Sequence, residues 1–92
     1  MSISDLIFSM QIGEEIELYI CGKCYFLQPN YKSFNKDWDS NNPPYPLTVI
    51  YDSQDYENPK KIFDGHAECV VDYEFESKYT LRHDLEKFKF VW

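Results

Sequence analysis

The chain has 92 residues, a net charge of −7 with both histidines neutral, 43% apolar residues and 18% aromatic ones. That length suits one domain around one small core, and that apolar content excludes a disordered chain despite the charge. No apolar run reaches the roughly 18–20 residues of a membrane span, no basic stretch precedes the first apolar residues as in a secretory signal, and an acidic surface disfavours bare nucleic acid.

Ser2 can cap a helix, with Asp5 three residues on as an imperfect capping box. Ile3, Leu6, Ile7 and Met10 follow the spacing of one helix face, and Gly13 is a natural stop, so residues 3–11 are predicted as a short amphipathic helix. From Glu15 to Cys21 the pattern alternates, with Ile16, Leu18 and Ile20 on one side and Glu17 and Tyr19 on the other. A second run covers Cys24 to Gln28. A Gly22-Lys23 turn between them predicts a hairpin that pairs Ile20 with Tyr25 and Leu18 with Leu27, leaving Tyr19 and Phe26 on the outer face. Residues 29–46, rich in Pro and aromatics, read as a long irregular excursion, a length that is often functional.

Leu47 to Tyr51 is a β-branched run and the expected third strand. Asp52 to Lys61 is polar, and Asn58-Pro59 should break regular structure there. Over residues 66–74, Ala67, Val70, Val71 and Phe75 fit a helix face, whereas Cys69, Val71, Tyr73 and Phe75 fit a strand; Asp64 as N-cap favours the helix. A last helix is expected after Thr80, and Phe88, Phe90 and Trp92 then alternate as a final strand. The expected fold is α+β: an antiparallel sheet of about four strands, with an N-terminal helix and two short C-terminal helices packed on it.

Three cysteines, an odd number, argue against a secreted disulfide framework and for the cytoplasm of a bacterial host. Cys21 and Cys24 are spaced C-x-x-C, but between strands rather than at a helix start, where redox pairs usually sit. With His66 and Cys69 they make four soft ligands, so a small zinc module on Cys21, Cys24, His66 and Cys69 is an alternative reading. No phosphate loop, G-x-S-x-G or H-E-x-x-H is present, no spacing selects an acid–base pair, and no cofactor is implied. The chain is therefore read as non-enzymatic. A single Ala and a single Arg beside 8 Lys and 7 Ile suggest an AT-rich genome, such as that of a low-GC bacterium or its phage.

Glu15-Ile16-Glu17-Leu18-Tyr19 followed by Gly22-Lys23-Cys24-Tyr25-Phe26 resembles the acidic strand, Gly-Lys turn and aromatic strand of small phage and mobile-element proteins of low-GC Gram-positive bacteria. Tyr79-Thr80-Leu81-Arg82-His83-Asp84-Leu85-Glu86 looks like the closing helix of the same kind of protein. Some such small acidic proteins are anti-CRISPR proteins, which inhibit Cas nucleases, often by imitating nucleic acid. The resemblance implies an inhibitor but transfers no functional residue.

Residues 52–76 hold eight acids against two bases. Acidic surface mixed with aromatics suits a protein partner with a basic cleft, because complementary charge steers the encounter and aromatics anchor it. The expected interface is Asp52, Asp55, Glu57, Asp64, Glu68, Asp72 and Glu74, on a loop and an adjoining helix, with Tyr31, Phe34 and Trp38 from the long loop. The expected partner is a Cas-type or toxin nuclease, with the protein acting like an anti-CRISPR or an immunity protein. An accessory or structural phage protein without an inhibitory role is the other alternative.

Overall fold

A computed structural model describes residues 1–30 and 46–91 of the chain. The first helix, α1, spans Ile3–Gln11. Its start is a full capping box: Ser2 Oγ accepts from the Asp5 amide at 3.1 Å, and Asp5 Oδ2 accepts from the Ser2 amide at 3.3 Å. Its end is a Schellman closure, in which Gly13, at φ 85°, donates to the Met10 carbonyl and Glu14 donates to that of Ser9. Leu6 and Met10 are buried, with Ile3 and Ile7 packed beside them.

Five strands follow: β1 (Ile16–Ile20), β2 (Lys23–Asn30), β3 (Leu47–Asp52), β4 (Lys60–Gly65) and, last, β5 (Lys89–Val91). They form one antiparallel sheet in the order β4-β3-β2-β1-β5. Between β4 and β5 come a one-turn helix α2 (Ala67–Val70), a 3-10 turn at Glu76–Lys78, a helix α3 (Leu81–Asp84) and a 3-10 turn at Leu85–Lys87. The fold is thus mixed α+β, with one strand more than expected. One face of the sheet is covered by the helices. Ile16, Leu18, Ile20, Tyr25, Leu27 and Ile50 meet Leu6, Met10, Ala67, Val70, Val71 and Leu81 there, all buried.

The hairpin differs from expectation in its turn. Ile20 pairs with Lys23 and Leu18 with Tyr25, so the turn residues are Cys21 and Gly22 rather than Gly22 and Lys23. Both have positive φ, 52° and 76°, the geometry of a primed turn whose twist matches the strands. Moving the turn by one residue shifts the pairing by two, so every side chain keeps its expected face.

β2 also runs two residues further than expected, through Pro29 and Asn30. Proline is tolerated because Leu27 pairs with Ile16, the first residue of β1, and beyond it no strand of the described residues on that side needs the amide.

β4 was not expected: it takes the last two residues of the polar segment, Lys60 and Lys61, and the four that follow, among which only Asp64 had a role, as a helix N-cap. Ile50 faces Phe63 and Tyr51 faces Lys61, so Ile62 is an extra, bulged residue. Asp64 lies inside this strand, and the N-cap of α2 is His66 instead. The helical reading of residues 66–74 holds for a single turn, with its predicted face, Ala67, Val70, Val71 and Phe75, buried. Thr80 caps α3 by accepting from the His83 amide at 3.2 Å.

Candidate functional site

The far face of the sheet, opposite the helices, is built by strand register. Val91, Glu17, Phe26, Tyr51 and Lys61 stand in one row across all five strands. Lys89, Tyr19 and Cys24 form the row beside it on β5, β1 and β2. Glu17 is therefore a carboxylate between two apolar neighbours, Phe26 and Val91.

The β3–β4 loop folds against this face. The Gln54 side chain brackets Cys24, its Oε1 accepting from the Cys24 amide at 3.2 Å and its Nε2 donating to the Cys24 carbonyl at 2.9 Å. The Ser53 hydroxyl adds a bond to the same carbonyl at 3.0 Å. Tyr56 follows, its ring edge-on to Phe26 at 5.5 Å and its hydroxyl donating to Glu17 Oε1 at 3.0 Å. Tyr56 is 68% exposed, the most exposed large hydrophobic side chain of the described residues. Cys24 Sγ contacts the same Glu17 oxygen at 3.7 Å.

These contacts shift ionisation. The Tyr19 phenol is pushed up to about 12, first by its hydrogen bond with Cys24 and then by desolvation. The Tyr56 phenol is raised, chiefly because its hydrogen bond to Glu17 favours the neutral donor.

The expected acidic residues divide between the two sides of the sheet. Asp55 and Glu57 flank Tyr56 on the loop that reaches the far face. Asp55 is partly spent on the loop itself, its oxygens accepting from the Glu57 amide at 3.2 Å and Asn58 Nδ2 at 3.4 Å. Asp52 ends β3 and accepts from the Gln54 amide at 3.0 Å. Asp64, on the far face, forms an ion pair with Lys61 of its own strand. Glu68, Asp72 and Glu74 lie in and after α2, on the helix side, and Arg82 grips Asp72 at 2.8 Å. The guanidinium holds the Asp72 carboxyl below its usual range. The loop and the helix do not adjoin as expected, because β4 intervenes.

Tyr31, Phe34 and Trp38 lie outside the described residues. Tyr56, Gln54 and Glu17 were not singled out as site residues from the sequence. The outward alternation of Glu17 with Phe26 was visible there; the folding back of Tyr56 was not.

The four candidate zinc ligands are not brought together. Cys21 is exposed at the hairpin turn and Cys24 is on the far face, whereas His66 and Cys69 belong to the helix side. Among the described residues no group of three or more His, Cys, Asp or Glu side chains is arranged to hold a metal ion. Nor is any helix of the described residues long and apolar enough to cross a membrane. Compared with protein families, curated proteins and solved structures, the chain matches none.

Proposed function

We propose that this protein is a non-enzymatic inhibitor that docks on a basic, nucleic-acid-binding cleft of a protein partner, a bacterial nuclease of the Cas or toxin type, and masks it. Its carboxylates stand where phosphate oxygens would sit and pair with the partner's Arg and Lys. The carrying observation is charge left over after internal pairing. The ion pairs of the described residues use Asp64, Asp72 and Glu76 only. Glu57, Glu68 and Glu74 are exposed and form no ion pair among those residues, although Glu68 interacts electrostatically with Arg82, and Tyr56 stands beside Glu57 as an exposed aromatic anchor.

The test uses nucleases encoded near the gene, with binding measured across ionic strength. Rim charges act mainly through association rate, so affinity should fall as salt rises. A partner whose affinity ignores both salt and reversal of Asp55 and Glu57 overturns the reading.

A further inference from the structure

We propose that the far-face groove bounded by Glu15, Glu17, Phe26, Gln28 and Val91 is a socket for an arginine side chain of the protein partner; the inference rests on the docking reading above. The groove has a volume of about 260 Å³. Glu17 stands at its centre, opposite Phe26 on one side and Val91 on the other. Glu17 Oε1 is held by Tyr56 and Cys24, whereas Oε2 accepts no hydrogen bond from the described residues. The carboxylate is thus fixed by one oxygen and presents the other.

Glu15 adds a second carboxylate to the groove, and Gln28 an amide. None of the ion pairs of the described residues uses Glu15 or Glu17, so no cation among those residues pairs with them. A guanidinium fits this combination of groups. It bonds a carboxylate through a planar fork, lies flat on an aromatic ring, and sheds water more readily than an ammonium. Lysine offers the charge but gains little from Phe26 and Val91.

The experiment is an amide-shift NMR titration of the full chain with hexa-arginine and with hexa-lysine, two peptides of equal charge. Hexa-arginine should bind about two- to fivefold more tightly, the contribution of an exposed cation–π contact. The shifts should centre on Glu17, Phe26, Gln28 and Val91. Glu17→Gln should abolish the preference, Phe26→Leu should do the same while keeping apolar bulk, and Glu86→Gln, at an exposed residue of the Leu85–Lys87 turn, should leave it intact. Equal affinities, shifts centred elsewhere, or a preference that survives both Glu17→Gln and Phe26→Leu overturns the socket. The docking reading fails separately, through loss of salt and charge-reversal effects in the nuclease assay.

Discussion

Glu76 joins parts of the chain far apart in sequence, since its Oε1 accepts from Lys23 Nζ at 2.9 Å and from the Tyr25 hydroxyl at 3.1 Å. Lys23 and then Tyr25 hold its carboxyl below the ordinary value of 4.5. Burial, and next this hydrogen bond, push the Tyr25 phenol up. A lowered folded pKa means stability that is full above the unfolded value and is lost as pH falls through the folded one. Glu76→Gln should therefore lower Tm at pH 7, and its deficit against the wild type should shrink below about pH 4.5. Melting curves across pH check this, and a deficit constant with pH would sink it. Thr48 shows the reverse situation. Its Oγ1 is buried with no hydrogen-bond partner among the described residues, on a residue only 2% exposed. Thr48→Val keeps the shape and removes that unpaired hydroxyl, so it should gain about 1 kcal/mol, read from the urea midpoint.

At the scale of elements, legibility followed period. The helix α1 and the strand β1 were readable because each repeats one spacing over its whole length, and β3 because its run is β-branched. β4 was not. Its bulge at Ile62 sets Lys61 and Asp64 on the same face three residues apart, a spacing that regular alternation forbids. The Lys-Lys-Ile-Phe-Asp-Gly run of β4 therefore shows no period of two. The hairpin was readable in its faces but not in its turn, since Gly22 fits either central position. The structure puts Cys21 in the left-handed region, which costs a residue with a Cβ roughly 1–2 kcal/mol. Cys21→Asn would create the Asn-Gly pair preferred in such turns. It should stabilise the protein by about 0.5–1 kcal/mol in chemical denaturation. No gain would mean that the thiol makes a compensating contact.

For the whole molecule, the sequence displayed the excess of acid but not its distribution. Charge along a chain does not say which carboxylates will be taken by Lys61, Arg82 and Lys23, nor that β4 will part Asp55 and Glu57 from Glu68 and Glu74. Asp55→Lys with Glu57→Lys tests the far-face side alone. Stability should move by less than about 0.5 kcal/mol at Glu57, as is usual for surface sites, and fall by about 1 kcal/mol at Asp55, whose loop hydrogen bonds are lost. Nuclease binding should weaken about tenfold, mostly through slower association. Unchanged association kinetics would move the interface elsewhere. The strand order carries a different consequence, one for synthesis. β1 obtains one of its two neighbours from the opposite end of the sequence, as Glu17 meets Val91 and Tyr19 meets Lys89. Until those residues leave the ribosome, the nascent sheet presents Ile16–Ile20 as a bare edge, open to a strand of any neighbouring chain. Three residues of β5 close it, at the entropic cost of a loop that spans most of the polypeptide. Of these five strands, the one translated last thus trades a five-residue edge for a three-residue one, which gives a neighbouring chain less to pair with.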